Sequence, residues 1–188
     1  MSGSALFVQP PGSVPIPMLA DLDGQCYYAT GGISRFVSIY PSLAGGSYAA
    51  GQCIGGLQNV SGVARAVGLG SGILYGATII DPSRNAGQID LLVFNPGVSG
   101  TFTDKTEAVI TSADSVLLTG SCHIVDWSIY GATTGCSVGN MSNAGLLYSC
   151  GKTGNVVGTT LQIVAVARAA LTLAAGSGWR VNLKFLPD

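Results

Sequence analysis

Gly72-Ile73-Leu74-Tyr75-Gly76-Ala77-Thr78-Ile79-Ile80, closed by Asp81-Pro82, decides the class of fold. β-Branched side chains lose rotamer freedom in a helix but pack well on a pleated surface. An interior glycine such as Gly76 costs a helix about 1 kcal/mol. The stretch therefore reads as a strand that stops at a turn. Gln88-Ile89-Asp90-Leu91-Leu92-Val93-Phe94 repeats this grammar and is closed by Asn95-Pro96-Gly97, and Arg35 to Tyr40 alternates and stops at Pro41. Further strands are expected at Val116 to Val125, Gly145 to Cys150, Thr159 to Ala167 and Trp179 to Leu186. The chain carries 28 glycines in 188 residues, too many at short intervals for long helices. Ala165 to Ala175 has the composition of a helix, and we read its start as the end of a strand. The prediction is an all-β protein, an antiparallel β-sandwich of jelly-roll-like form over residues 35–188.

Residues 1–34 follow other rules. Four of the eight prolines fall between Gln9 and Pro17. Proline fixes φ and removes a backbone donor, which denies this stretch a helix or a central strand. An extended polyproline thread is its expected form, with Phe7, Val8, Val14 and Ile16 as apolar points between Pro10, Pro11, Pro15 and Pro17. These eight residues are the expected partner-contacting arm, because a stiff thread loses little entropy on docking. Asp21-Leu22-Asp23-Gly24 ends in the Asp-Gly pair of a tight turn. It lacks the remaining oxygen ligands and the closing Glu of a calcium loop.

Composition narrows the function. Charged residues make up 9% of the chain against about 25% in a typical soluble domain. Hydrophobic residues make up 47%, and mean hydropathy is +0.47. Such a chain cannot cover its surface with lysine and glutamate, so an assembly that hides apolar surface is expected. Net charge is −1, and no two basic residues are adjacent. A phosphate-tracking nucleic-acid groove is therefore not expected. The most apolar run, Leu161 to Ala175, contains Gln162, Arg168 and Thr172 and is shorter than the roughly 20 residues of a membrane-spanning helix. Met1 to Gln9 lacks the basic and apolar regions of an export signal, which implies assembly in a reducing cytoplasm. The five cysteines, Cys26, Cys53, Cys122, Cys136 and Cys150, show no CxxC spacing and are expected as free thiols.

Chemical motifs are weak. Gly151-Lys152-Thr153 is like the end of a phosphate-binding loop, but Leu146 stands where that loop needs its first glycine, and Gly154 to Gly158 cannot start the required helix. Gly68-Leu69-Gly70-Ser71-Gly72 lacks the strand and helix of a dinucleotide site. His123 and Asp126 have the residue types of a general base and its orienting carboxylate. Three apart on a strand, they point to opposite faces unless a bulge intervenes. Asp90, Asp104, Glu107 and Asp114 could supply paired carboxylates, but nothing in the sequence pairs them. No catalytic residue, cofactor or metal site is assigned, and no enzyme is expected.

Tyr48-Ala49-Ala50-Gly51-Gln52-Cys53-Ile54-Gly55-Gly56-Leu57 resembles a segment of small tailed-bacteriophage virion proteins, in which a Tyr, a Gly and a Gly-Gly pair mark one strand and its bend. The resemblance continues through Ala64-Arg65, Ile89 to Pro96, Thr103-Asp104, Ser112-Ala113-Asp114, Leu161 to Arg168 and Val181 to Phe185. It covers roughly Tyr48 to Asp188. Gln52 replaces an expected Asp, and Lys105 replaces an Asn. The resemblance implies a capsid decoration or cement protein on the virion surface. Its partners would be the major capsid protein and copies of itself, with no nucleic acid, membrane or small-molecule substrate. The alternative expectation is a receptor- or glycan-binding module of a head fibre or tail, presenting an aromatic platform at Trp127, Tyr130 or Trp179.

Overall fold

The computed structural model describes residues 18–20, 26–28, 34–64, 70–131, 133–141, 145–153, 156–176 and 178–187. The chain divides into two compact units, Met1–Ile33 and Ser34–Asp188. In the first, β1 (Met18–Ala20) and β2 (Cys26–Tyr28) pair antiparallel and bracket the segment read as a tight turn. That segment and the arm residues Phe7, Val8, Pro10, Pro11, Val14, Pro15, Ile16 and Pro17 lie outside the described residues.

The second unit is all-β. Its strands are β3 (Arg35–Ile39), β4 (Gly46–Tyr48), β5 (Cys53–Ser61), β6 (Ser71–Asp81), β7 (Ile89–Phe94), β8 (Leu118–Tyr130), β9 (Cys136–Met141), β10 (Leu146–Ser149), β11 (Lys152–Thr153), β12 (Val156–Val157), β13 (Thr160–Ala167), β14 (Leu171–Leu173) and β15 (Arg180–Pro187). One helical turn, α1 (Ser112–Ser115), precedes β8. Nine strands form a single antiparallel sheet in the order β3-β15-β6-β9-β8-β7-β13-β5, with β10 also on β6. The sheet curls until its edge strands come back together. At one end of this seam Arg35 Nη1 donates to the Gly62 carbonyl at 2.6 Å. At the other, Pro41 lies directly against Gly55 and leaves no room there for a side chain. The sandwich is thus one nearly closed sheet around one core.

Alternation explains which side chains fill that core. Leu74, Ala77 and Ile79 of β6 point inward with Val181, Leu183 and Phe185 of β15 and Leu91 and Val93 of β7. Tyr148 meets Phe185 edge-on at 5.5 Å. β13 is buried on both faces, as its nearly unbroken apolar sequence requires. Leu161, Ile163, Ala165 and Ala167 enter the main core, while Val164 joins a second cluster with Cys53, Phe94 and Phe102. The second cluster exists because the excursion between β7 and β8 folds back over the outer face of β5, β13 and β7, bringing Val98, Phe102, Ala108 and Leu117 with it.

The strand read as ending at Ala167 ends there despite the helical composition of Ala165 to Ala175: β13 runs to Ala167, the chain bends, and β14 follows. Other elements depart from the sequence reading. Strand β8 begins two residues later than expected and continues five residues further, to Tyr130. β5 is interrupted by Gly55 and Gly56, both at positive φ, which bend it. β9 holds Gly139 beneath the Trp127 ring, where a Cβ would stand 2.7 Å from the indole. The ring covers the glycine, an arrangement that pairwise register makes possible and local composition does not announce. No described helix is long and apolar enough to cross a membrane.

Candidate functional site

The polar residues of the second unit chiefly tie the fold together. Asp104 sits at the seam. Its carboxylate accepts from the Gly55 N–H at 2.6 Å, the Ala44 N–H at 2.7 Å and the Tyr48 hydroxyl at 3.0 Å. The excursion also blunts the outer edge of β5 with backbone bonds: Cys53 N–H to Thr106 C=O, Lys105 N–H to Cys53 C=O, and Leu57 N–H to Phe102 C=O. A sheet edge left open offers a template for pairing, and here it is occupied from within the chain. Burial, reinforced by the bond to Asp104, pushes the Tyr48 phenol up to about 12. The Lys105 ammonium lies 5.4 Å from the centre of the same ring.

Asp114 anchors the far end of the excursion. Fully buried, it accepts from Ser99 N–H at 2.9 Å and Thr111 Oγ1–H at 2.7 Å, and Thr111 Oγ1 in turn accepts from Asp114 N–H. These donors, the Ser99 backbone first, hold its carboxyl below the usual aspartate range. Asp104 and Asp114 therefore serve separate hydrogen-bond hubs and form no catalytic pair with each other.

His123 has a partner, though not the one its sequence neighbours suggest. A bulge between Ile124 and Asp126 puts Asp126 on the solvent side with His123, so the condition for their meeting is present. His123 Nδ1 nevertheless bonds Asp90 Oδ1, directly opposite on β7, at 2.7 Å, and Arg168 Nε lies 3.4 Å from Asp90 Oδ2. The trio is a surface charge cluster. Among the described residues, no three or more His, Cys, Asp or Glu side chains converge as a metal site. Lys152 and Thr153 lie in β11, paired with β12, rather than at the start of a helix.

Cys53, Cys122, Cys136 and Cys150 are free thiols. Burial pushes Cys122 up to about 12 and Cys150 to about 11, which removes the reactive thiolate at neutral pH. The expected aromatic platform is not assembled as proposed. Trp179 is 1% exposed in the core and Trp127 packs over Gly139, which leaves only Tyr130 of the three well exposed. The outer face of the sheet carries two other features. Register aligns Ser38, Asn182, Thr78, Asn140 and Asp126 in one polar row across five strands. Ser38 Oγ donates to Asn182 Oδ1 at 2.8 Å, and Thr78 Oγ1 donates to Asn140 Oδ1 at 3.2 Å. Beside this row, Phe36, Leu147 and Leu186 project into solvent from rigid strands.

No known protein-family model matches the chain, and no curated protein matches it. The second unit is an all-β antiparallel fold in which the carboxylates of Asp104 and Asp114 organise loops and the outer face presents apolar side chains.

Proposed function

We propose that this chain is a bacteriophage virion structural protein, a capsid decoration or cement protein that stabilises the head shell through contacts with the major capsid protein and with copies of itself. The observation that carries the reading is the combination of few charges with large apolar side chains held outward on strands: Phe36, Ile129, Tyr130, Leu147 and Leu186. Such side chains are anchors for protein contact when a rigid scaffold presents them. The mechanism is adhesive: an interface of ordinary size, repeated over the shell, resists internal pressure by multivalency. In this reading the arm within residues 1–34, with Phe7, Val8, Pro10, Pro11, Val14, Pro15, Ile16 and Pro17, is a further contact with those partners.

The test is to mix the purified protein with capsids assembled without it and measure occupancy by electron microscopy. Saturable decoration at symmetry-related positions is expected, with higher resistance of the shell to heat. Deleting residues 1–20 should leave melting of the β unit unchanged and weaken decoration. Absence of any capsid binding overturns the proposal. The polar row from Ser38 to Asp126 favours a second reading, a glycan-binding module of a fibre or tail, because an array of hydroxyl, amide and carboxylate groups suits sugar hydroxyls. Binding to host-cell glycans without capsid binding would support that reading instead.

A further inference from the structure

We propose that the free edge of β8, residues 126–130, pairs antiparallel with the same edge of a second copy about a two-fold axis through Ser128; the inference rests on the self-contact in the assembly reading above and names the surface that makes it. Strand β8 outruns one of its neighbours. β7 covers one side of it over residues 118–124, whereas β9 covers the other over residues 124–130. Residues 125–130 therefore have backbone donors and acceptors on the β7 side that meet no strand among the described residues. Val125, Asp126, Ser128, Ile129 and Tyr130 are all exposed. The segment carries no Lys, Arg or Pro to discourage strand addition. The outer edge of β5 differs, since the excursion between β7 and β8 already occupies it.

What covers such an edge must be an extended strand, because only a backbone supplies donors and acceptors at strand spacing. Geometry then selects the register. The regular part of the free edge is residues 126–130, since a bulge lies between Ile124 and Asp126. A two-fold axis normal to the sheet keeps like faces together, so it must pass through a residue position. An axis through Trp127 sets the second copy's Tyr130 opposite Ile124, a place that Ile89 of β7 already holds. One through Ile129 pairs only three residues of each copy. An axis through Ser128 sets Tyr130 opposite Asp126, pairs five residues of each copy, and lets the hairpin leave the strand at Gly131, just short of β7.

The side chains point to a second copy as the occupant. In this register Asp126 faces the Tyr130 hydroxyl of the other copy, Trp127 faces Ile129, and Ser128 faces its own counterpart. Polar groups meet on the outer face and apolar groups on the inner one. Asp126 is the only charge in residues 125–130. The two Asp126 carboxylates stand four residues apart along the strands, about 14 Å, which physiological salt screens. The edge read backwards is thus the strand that the edge requires. The product is a four-stranded ribbon, β9-β8-β8-β9, continuous across two copies.

Sedimentation from about 10 μM to about 1 mM, the range in which small interfaces dissociate, tests this. The full chain should show a reversible monomer–dimer equilibrium. Amide exchange along residues 126–130 should slow as concentration rises, while exchange along β5 stays constant. Ser128→Asp and Ser128→Lys should each weaken the dimer about fivefold, because like charges then stand opposite each other across the axis. Both should melt like wild type, since Ser128 is exposed. Mixing the two variants should restore a dimer at least as tight as wild type. A wild-type monomer across the range, a mixture no tighter than either variant alone, or a dimer whose residues 126–130 exchange as fast as in the monomer overturns the proposal. If a Ser128 variant melts lower, the exchange measurement on the unaltered chain decides. Capsid binding separates the two readings. A dimer that behaves as described but binds no capsid sinks the capsid reading alone. A chain that binds capsids yet stays monomeric in solution keeps that reading and sinks the dimer.

Discussion

Replacing Asp104 by Ala removes the group that stitches the seam between the two edges of the sheet. Three donors lose their acceptor: Gly55 N–H, Ala44 N–H and the Tyr48 hydroxyl. Ala44 is exposed and can turn to water, so it contributes little. Gly55 is half-buried and Tyr48 is 1% exposed, so their donors are left without a good substitute. At about 1.5–3 kcal/mol for each hydrogen bond to a charged group, the loss of the two comes to roughly 3–6 kcal/mol. For a unit of this size 1 kcal/mol moves the melting temperature by about 2–4 °C, so a fall of roughly 6–24 °C is expected. Urea unfolding should show a lower midpoint with an unchanged slope. A double-mutant cycle isolates the cause. Tyr48→Phe alone should cost about 1 kcal/mol, and in the Asp104→Ala background it should cost nothing, because the hydroxyl it deletes is already orphaned. Asp104→Ala within 1 kcal/mol of wild type, or strict additivity with Tyr48→Phe, would refute the seam argument.

Other outcomes follow from the same structure. Gly139→Ala should destabilise by about 1–3 kcal/mol and shift tryptophan emission, because the new methyl must displace the Trp127 ring; unchanged emission and melting would contradict the packing. The stability contributed by the buried thiols and the Tyr48 phenol should be full below about pH 9 and fall as pH rises toward 12. Cys122 and Tyr48 keep their protons to about 12 when folded and Cys150 to about 11, whereas the unfolded chain releases its thiol protons from about 9 and its phenol protons from about 10. Cys122→Ala should flatten this alkaline slope in melting measurements. In the native protein at pH 8, alkylating agent should leave Cys122 and Cys150 unmodified for as long as the fold holds. After denaturation without reductant all five cysteines should label, as mass spectrometry can count.

The strands of the second unit were largely legible because their signal is local. Ile73 to Ile80 and Ile89 to Phe94 carry branched and aromatic side chains between turn residues, and this pattern survives whatever the chain later packs against. β5 and β9 were not legible from their own residues. Gly55, Gly56 and Gly139 lower strand propensity, and each is required by something distant: Pro41 over Gly55, the Phe102 carbonyl beside Gly56, the Trp127 ring over Gly139. The helical composition of Ala165 to Ala175 does not prevail for a related reason. Small side chains at Ala165 and Ala167 suit a helix, but here they fit the interior of a sheet buried on both faces.

By itself the sequence determined that the protein is β and that it is poor in charge. Tertiary structure alone decided what the polar residues do. Asp104 gathers donors 49 to 60 residues away, and His123 finds Asp90 rather than Asp126, 33 residues off instead of three. Alternation along a strand depends on nearest neighbours and can be read from a line of residues. Closure of a sheet brings together residues that no local rule connects, and only the register of the paired strands says which carboxylate meets which donor.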